Sequence, residues 1–372
     1  MEQRAVGAGP APSRAREHGR RRARAGAIAS PLRDHQPEDL GTVAARVLVV
    51  GPAWVGDMVM AHTLVPGLVR RGAVVEFLAP PATAALARRM PGVTVVHDLN
   101  VGHGELGLGE RVAAARRLQQ RGFDWSIVLP NSWKSALPPF LAGIPRRTGF
   151  TGEARFGLLN DHRKLDVRNL PRQVDRFASL ANVEPSNPRL EANPSRGEER
   201  LRRFGLDLGS RTLVALCPGA DHGPSKRWPA EHFAELARRL AATGAAVCVL
   251  GSVRDAELGA SIAARSPALD LAGKTRLDEV VDVLSIAGAA VTNDSGLMHV
   301  AAALGVPVAA VYGSTTPAFT PPLSTRAVAI GEELPCRPCF KRACPLGHLA
   351  CLTTISARRV MAALLDLGVV GV

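Results

Sequence analysis

The sequence predicts an α/β fold, and two observations support this prediction. Short apolar runs rich in Val, Leu and Ala recur along the chain, and helix-patterned segments of about 10–15 residues separate them. Such alternation is typical of parallel sheets. The weakly periodic stretch 182–210, which bears Pro and Asn, divides the pattern into two halves. We therefore expect two doubly wound, Rossmann-like domains that face each other across a cleft.

The first half of the chain opens with the run VLVVG at 47–51, which is typical of a buried strand. A loop then leads into a predicted helix over 57–71, which Gly72 is suited to end. Pro66 and Gly67 inside this helix predict a kink or an early break. The remaining predicted elements of this half are strands at 73–79 and 126–129 and a helix at 111–121.

The second half repeats the alternation of strands and helices. A polar turn at 293–296 leads into a helix that begins at Leu297 and stops at the Gly-Val-Pro of 305–307. The other predicted elements are strands at 213–216, 246–250, 289–292 and 307–312 and helices at 230–243, 254–265 and 278–287.

These elements predict one domain at 45–190, a linker at 191–210 and a second domain at 211–372. The second domain carries a Cys-rich loop at 336–351 and a C-terminal helix. Residues 1–44 are Arg-rich and lack a periodic apolar face, so we expect a disordered basic extension. Two alternatives are an arm that binds anionic membrane or RNA and a start codon assigned too far upstream.

The formal net charge of +13 favours anionic partners such as nucleotides, phosphorylated sugars, anionic lipids or nucleic acid. No apolar run approaches the ~20 residues that a membrane span needs. A nicotinamide enzyme is disfavoured, because Gly51 and Gly56 do not fit the pattern G-x-G-x-x-G.

The polar turn at 293–296 is the most informative segment. Ligands of open α/β sheets bind outside the carboxyl ends of the strands, and a helix start attracts phosphate. Asp294 and Ser295 are therefore candidates for binding an anionic ligand. Alternatively they only cap the helix, since Asp and Ser are preferred caps.

Asp57 and Lys226 occupy similar places, because each follows a predicted strand and precedes a helix. An ionised carboxylate at Asp57 can act as a general base, and its alternative role is a helix N-cap. Lys226 precedes a helix that Pro229 starts. A cation there suits a diphosphate, and its alternative is a solvated surface charge.

Six segments between about residue 46 and residue 323 follow one another in a recognisable order. They are GPAWVGDMVM (51–60), LPNSWKSALPPFLAGIPRRTGF (129–150), GEARFGLLND (152–161), CPGADHGPSKRWP (217–229), LAGKTRLDE (271–279) and TNDSGLMHVAAALGVPVAAVYGSTTPAFTPPL (292–323). With them the chain resembles the ADP-heptose:lipopolysaccharide heptosyltransferases, glycosyltransferase family 9, most closely the heptosyltransferase II branch. The resemblance implies the GT-B fold and an inverting heptose transfer from ADP-heptose to heptosyl-Kdo-lipid A, with no cofactor.

The same resemblance implies roles for individual residues. Asp57 would take the proton of the acceptor hydroxyl, and Lys226 would stabilise the departing diphosphate. Donor binding falls to two groups of residues, which are Asp294, Ser295, Gly296 and His299 and then Gly273, Lys274 and Thr275. The second group could equally form a strand-to-helix turn, and His299 could be an ordinary helix-face histidine. Asp255 or Glu257 could reach the ribose.

Acceptor binding is expected in the first domain, because the implied acceptor carries phosphate and Arg contacts phosphate in a bidentate manner. The candidates are Asn131, Ser132, Lys134, Arg146, Arg147 and Arg155. A basic surface without a specific role is the alternative. Basic charge would also keep a cytoplasmic enzyme at the cytoplasmic face of the inner membrane in a Gram-negative cell.

We expect no essential metal ion, because no Asp-x-Asp pair stands in the donor loop and Lys226 can neutralise the diphosphate. Four cysteines, Cys336, Cys339, Cys344 and Cys351, leave a structural zinc site open, although the second spacing is wide for one. Reduced thiols that pack a loop are the alternative, since disulfides are unusual in the cytosol.

Two other functional classes stay open. One is a different GT-B enzyme, such as a heptosyltransferase I-like protein or a transferase or epimerase for another envelope sugar. The other is a nucleic-acid-binding protein, which would need aromatic platforms. With one Tyr, four Trp and ten Phe the chain offers few of them, so we expect no nucleic-acid partner.

Overall fold

The computed structural model describes residues 45–102 and 104–369, so the predicted extension at 1–44 lies outside the described residues. These residues form two six-stranded sheets, and every strand pair in both sheets is parallel. The doubly wound α/β prediction is thereby confirmed. Within the described part, no helix is long and apolar enough to cross a membrane.

The first sheet and its helices form what we call the first lobe. Its strands are β1 (Arg46–Val50), β2 (Val74–Ala79), β3 (Val93–Asp98), β4 (Trp125–Val128), β5 (Arg146–Phe150) and β6 (Asp161–Arg163). Its helices are α1 (Val55–Ala61), α2 (Val65–Arg70), α3 (Pro81–Ala87), α4 (Leu108–Gln119), α5 (Trp133–Leu141) and α6 (Gln173–Leu180). The strand order is β3-β2-β1-β4-β5-β6, so the chain reverses its direction of winding between β1 and β4.

The predicted helix at 57–71 starts earlier and is broken. Helix α1 begins at Val55, a 3-10 turn follows over His62–Leu64, and α2 begins at Val65. Pro66 lies in the first turn of α2, where its missing N–H leaves no hydrogen bond unmade. The break therefore lies ahead of the proline.

The second sheet and its helices form the second lobe, preceded by α7 (Pro194–Arg203). Its strands are β7 (Leu213–Cys217), β8 (Ala246–Val249), β9 (Leu269–Asp270), β10 (Ala289–Asn293), β11 (Val308–Tyr312) and β12 (Ala327–Gly331). Its helices are α8 (Ala230–Ala242), α9 (Ala256–Ala263), α10 (Leu277–Ser285), α11 (Gly296–Ala303), α12 (Ala350–Thr353) and α13 (Ala357–Asp366). The strand order is β12-β11-β10-β7-β8-β9, and the reversal lies between β7 and β10.

Helix α7 lies inside the stretch 191–210, for which the sequence predicts a linker. Asn193 caps the helix by accepting a hydrogen bond from the Arg196 N–H. Only Gly197 and Leu201 of α7 are buried, so no apolar stripe marks the helix in the sequence. It packs on α10 so closely that a Cβ on Gly197 would lie 2.3 Å from the Asp282 carbonyl oxygen.

The central strands are buried on both faces, as parallel sheets require. In β1 and in β7, for example, the residues from the second position onward are all buried. From each reversal, later strands are added toward one edge of the sheet on one side and toward the other edge on the other side. The connections that follow the two strands at the reversal therefore diverge and leave a crevice at the carboxyl ends of these strands. The two reversals, β1/β4 and β7/β10, therefore mark where each lobe can hold a ligand.

Candidate active site

Asp57 stands at the reversal of the first sheet. It follows β1 in the first turn of α1, whose N-cap is Trp54, so the N-cap alternative for Asp57 is wrong. Burial raises the pKa of the Asp57 carboxyl from 3.8 to about 6, and the Lys226 ammonium of the second lobe opposes part of this rise. A carboxylate with such a pKa is ionised at neutral pH and is a stronger base than an exposed one.

Lys226 and Asp294 meet at the reversal of the second sheet. Lys226 follows β7 through a short 3-10 turn, and Asp294 comes directly after β10. The Lys226 Nζ lies 2.6 Å from the Asp294 Oδ2. Both side chains are largely buried, so solvent screens this ion pair little. Asp294 thus holds the ammonium at the carboxyl edge of the sheet.

The capping alternative for the turn at 293–296 is not supported either. Ser295 occupies the N-cap position of α11 without a side-chain capping hydrogen bond, and the Asp294 carboxylate turns toward Lys226. The first N–H groups of a helix have no partner within it, so the start of α11 presents donors to the crevice. An anionic group is the ligand that such a helix start and an adjacent ammonium suit best.

Asn293 is a buried residue that the sequence reasoning missed. Its side-chain amide donates to the Pro218 carbonyl oxygen at 2.6 Å, and its side-chain oxygen accepts from the Trp228 N–H at 3.0 Å. These bonds fix both ends of the loop that carries Lys226. The signal in the sequence was an amide at the last position of an otherwise apolar strand.

The two lobes touch through glycines at the starts of α1 and α11. A Cβ on Gly296 would lie 2.7 Å from the Val55 side chain, and a Cβ on Gly56 would lie 2.8 Å from His299 Cδ2. Both distances are shorter than real side-chain contacts. Because both positions are glycine, the starts of α1 and α11 can approach each other. Asp57 of α1 thereby comes close to the Lys226 ammonium that Asp294 holds beside α11.

His299 lies in this contact between the lobes and not on an open helix face. It is buried, and burial lowers the pKa of its imidazole to about 4, with a further lowering by Lys226. The ring is therefore neutral at physiological pH, and Lys226 is the cation that faces Asp57.

The residues 273–275 lie at the carboxyl edge of the second sheet, next to the loop after β8. Gly273 has a φ of +72°, and a Cβ there would lie 3.1 Å from the Val253 Cα. Lys274 forms an ion pair with Asp270 at 2.8 Å, and the Thr275 hydroxyl donates to the Leu271 carbonyl oxygen. The side chains of Lys274 and Thr275 therefore stabilise the strand-to-helix turn, and donor binding at 273–275 stays a prediction.

Asp255 is likewise engaged within its own turn. Its carboxylate accepts from the Ser252 N–H and hydroxyl, which makes it the partner of a capping box. A Cβ on Gly219 would lie 2.5 Å from this carboxylate, so the loops after β7 and β8 are in close contact here.

Four of the acceptor candidates lie after β4 or β5 of the first lobe, whereas Arg146 and Arg147 are the first two residues of β5, and most of the six bond to the protein itself. Lys134 donates to the Gly104 carbonyl oxygen at 2.8 Å, and Ser132 shares a hydrogen bond with Ser135. Arg147 donates to two backbone carbonyl oxygens, those of Ile144 and Leu158. Ser132 and Lys134 follow the carboxyl end of β4 and so lie beside the crevice, where acceptor binding stays a prediction. Arg147 pairs in register with Ser126 near the amino end of β4, so it lies at the opposite edge of the sheet and not at the crevice.

Arg155 is buried and plays a structural part in that rim. Its guanidinium donates to the Pro130 carbonyl oxygen at 2.6 Å and to the Asn131 side-chain oxygen at 3.1 Å. It thereby fixes the loop that carries Asn131. Arg146 pairs with Asp161 at 3.2 Å, so neither of these two arginines offers a free guanidinium.

All six cysteines are free thiols, and four of them gather around the segment 336–351. Burial raises the pKa of the Cys351 thiol, and the nearby thiols of Cys344, Cys336 and Cys339 add to the rise. Among the described residues no three His, Cys, Asp or Glu side chains lie close enough together to hold a metal ion.

Comparison with known proteins places these features in a family context. The family model of glycosyltransferase family 9 (heptosyltransferase) matches residues 111–350. Lipopolysaccharide heptosyltransferase 2 of Escherichia coli K12 is 43% identical over 305 residues, which cover 77% of this chain and 87% of that protein. Lipooligosaccharide heptosyltransferase 2 of Haemophilus influenzae is 40% identical over 305 residues, which cover 76% and 88%.

Solved structures show the same likeness. The structure of E. coli ADP-heptose lps heptosyltransferase II superposes with a TM-score of 0.76 at 38% identity, covering 87% of this chain and 98% of that one. E. coli heptosyltransferase WaaC with ADP superposes with a TM-score of 0.63 at 20% identity, covering 87% and 99%. The second likeness shows a shared fold alone.

Proposed function

Because the chain belongs to glycosyltransferase family 9, the heptosyltransferases, we propose that it transfers heptose from ADP-heptose to the heptosyl-Kdo-lipid A inner core. The chain is a heptosyltransferase of lipopolysaccharide core biosynthesis. The relatives at 40% and 43% identity both carry the second-heptose enzyme's name, which supports the once-heptosylated acceptor. The observation that carries the mechanism is the close approach of the starts of α1 and α11, which brings Asp57 near enough for the Lys226 ammonium to lower its pKa.

Asp57 is proposed as the general base. The acceptor hydroxyl attacks the anomeric carbon of the donor heptose while the bond from that carbon to the diphosphate oxygen breaks. Asp57 takes the hydroxyl proton, and its pKa of about 6 leaves it ionised and ready at neutral pH. One displacement from the face opposite the leaving group inverts the anomeric centre, so a single carboxylate is sufficient.

Lys226 is proposed to stabilise the departing ADP. The diphosphate gains negative charge as the bond breaks, and a preorganised cation lowers the energy of that charge. Asp294 holds the ammonium 2.6 Å away, and the start of α11 supplies N–H donors beside it. With this charge in place we propose that no divalent ion is essential, so transfer in excess chelator should equal transfer without it.

The positions of the adenosine, the acceptor and the membrane follow from the same site. We propose that the adenosine lies over Gly273, whose positive φ and close neighbour leave no room for a side chain. The acceptor is proposed to meet the rim that carries Asn131, Ser132 and Lys134, which follow the carboxyl end of β4. The net charge of +13 supports peripheral binding of a cytoplasmic enzyme to the anionic face of the inner membrane.

One assay tests this function. The purified protein is incubated with ADP-heptose and with lipid A cores that bear zero, one or two heptoses, and the masses of the products are measured by mass spectrometry. We expect one heptose to be added to the once-heptosylated core alone. Addition to the core without heptose would instead favour a heptosyltransferase I-like enzyme. Transfer from UDP-sugars and not from ADP-heptose would refute the proposed donor.

A further inference from the structure

The segment 332–349 between β12 and α12 has no role in the mechanism above, yet it is bonded to the catalytic loops. The N–H of Ser225, the residue before Lys226, donates to the Arg342 carbonyl oxygen at 3.3 Å. The Ser225 hydroxyl donates to the Lys341 carbonyl oxygen. The Phe340 N–H donates to the Ser314 carbonyl oxygen at 2.9 Å. We call this segment the buttress loop.

Arg337 is the side chain of the buttress loop that bonds to the segment after β11. Its Nε donates to the Gly313 carbonyl oxygen at 2.6 Å, and one terminal nitrogen donates to the Thr315 carbonyl oxygen at 3.0 Å. The other terminal nitrogen donates to the Glu332 carbonyl oxygen. A guanidinium is a rigid planar fork of donors, so three carbonyls bonded to it are held at fixed relative positions.

Thr315 continues the path from Arg337 to the site. Its hydroxyl donates to the Asp294 Oδ2 at 2.5 Å, and the same oxygen lies 2.6 Å from the Lys226 Nζ. Thr315 and Asp294 are both buried, so water does not replace a lost bond here at low cost. The backbone position of Thr315 therefore helps to decide where the carboxylate points, and the carboxylate holds the ammonium.

We propose that Arg337 is a positioning residue for heptose transfer, which fixes Thr315 and through it the Asp294–Lys226 pair against the leaving diphosphate. This inference rests on the proposed function. Arg337 touches neither substrate nor reacting atoms in it, and acts only through the backbone carbonyls that it binds.

The surroundings of Arg337 make a specific test feasible. A cavity of about 660 Å³ is lined by Arg337, Thr315, Glu332 and Leu334, among others. Small solutes can enter such a cavity from the solvent. Replacing Arg337 by Ala leaves a space into which a free guanidinium ion fits, so added guanidinium can restore the missing donors.

The experiment measures kcat, KM for ADP-heptose and the pH profile of kcat/KM for Arg337→Ala. We expect kcat to fall about 10²-fold, the loss typical of an ångström of misplacement, with KM changed much less. Lys226 holds down the pKa of Asp57, and His299 beside it is neutral. A displaced ammonium should therefore move the acid limb of the profile to higher pH. Millimolar guanidinium should recover part of the lost kcat.

Arg359 provides a matched control. It binds the Glu332 carboxylate and the Gly331 carbonyl oxygen beside the same cavity but makes no contact with Thr315 among the bonds described. Arg359→Ala should keep the wild-type kcat and acid limb and should not respond to guanidinium. An equal loss of kcat in both variants would overturn the proposal.

If Arg337→Ala does not fold, Thr315→Val is measured in its place, because this change removes only the hydroxyl that bonds Asp294. Thr315→Val should lower kcat and move the acid limb in the same direction. A wild-type kcat and acid limb in whichever of these two variants folds would refute the positioning role. If the wild-type chain itself transfers no heptose, the proposed function fails and not this inference alone.

Discussion

Replacing Asp57 by Asn is expected to stabilise the protein even though it removes the catalytic base. Burial raises the pKa of this carboxyl from 3.8 to about 6, so the native state holds the charged form at a cost. A shift of one pKa unit corresponds to about 1.4 kcal/mol, so the full cost is about 3 kcal/mol. Asn has nearly the shape of the protonated side chain and avoids this cost.

The stability that Asp57→Asn gains over wild type should increase with pH. A carboxyl whose pKa is raised on folding lowers the free energy of unfolding as the pH rises from the unfolded to the folded pKa, and the loss is then complete. Relative to wild type, Asp57→Asn should therefore gain about 1 kcal/mol near pH 4.5 and about 3 kcal/mol near pH 8.

Urea unfolding of both proteins, followed by tryptophan fluorescence at the two pH values, measures these differences. A variant that is no more stable than wild type near pH 8 would refute the claim that desolvation disfavours the ionised Asp57 carboxylate in the native state. So would a gain of equal size at both pH values, because a pH-independent gain cannot come from the titration of this group.

Three further changes test other parts of the site. Lys226→Met should lower kcat about 10²-fold and move the acid limb of kcat/KM to higher pH, because Lys226 lowers the pKa of Asp57. Gly296→Ala places a Cβ 2.7 Å from the facing side chain of α1, so the lobes should separate and kcat/KM should fall about 10²-fold. Arg89→Met breaks the 2.7 Å ion pair with buried Asp282 and should lower the free energy of unfolding by about 3 kcal/mol in a urea titration.

Two of these changes have a control in the chain. A Cβ on Gly109 of α4 meets nothing within 4 Å, so Gly109→Ala should leave kcat/KM unchanged. Arg88 pairs with Asp98 in an exposed ion pair, so Arg88→Met should cost less than about 1 kcal/mol. An unshifted acid limb in Lys226→Met would contradict its coupling to Asp57. Equal losses of unfolding free energy in Arg88→Met and Arg89→Met would contradict the buried character of the Arg89–Asp282 ion pair.

The sequence predicted seven of the twelve described strands, because fully buried parallel strands are apolar runs that need no tertiary context to recognise. It missed β3, β5, β6, β9 and β12, which lie toward the sheet edges and are only partly buried. It placed Asp57, Lys226 and Asp294 after strand ends. The pairing of β7 with β10 brings Lys226 and Asp294 together, and the close approach of α1 and α11 brings Asp57 to them. The bounds of β7, β8, β10 and β11 differ from the predicted strands by one residue.

What the sequence could not show were features set by contacts between distant segments. Helix α7 buries only Gly197 and Leu201, so its polar sequence looked like a linker. Arg155 and Arg147 looked like free phosphate ligands, yet backbone carbonyls bind both guanidiniums. Arg337 lies in a Cys-rich segment, and no local sequence pattern indicates that its side chain bonds to the Thr315 carbonyl oxygen.

In the proposed mechanism a base from the first lobe acts on a diphosphate donor bound by the second lobe. Binding of ADP-heptose to Asp57→Asn, measured by calorimetry, together with single-turnover transfer by the same protein, tests it most directly. We predict donor affinity close to wild type and a loss of transfer of at least about 10²-fold. Transfer at the wild-type rate, or loss of donor binding along with transfer, would contradict the division of labour between the lobes.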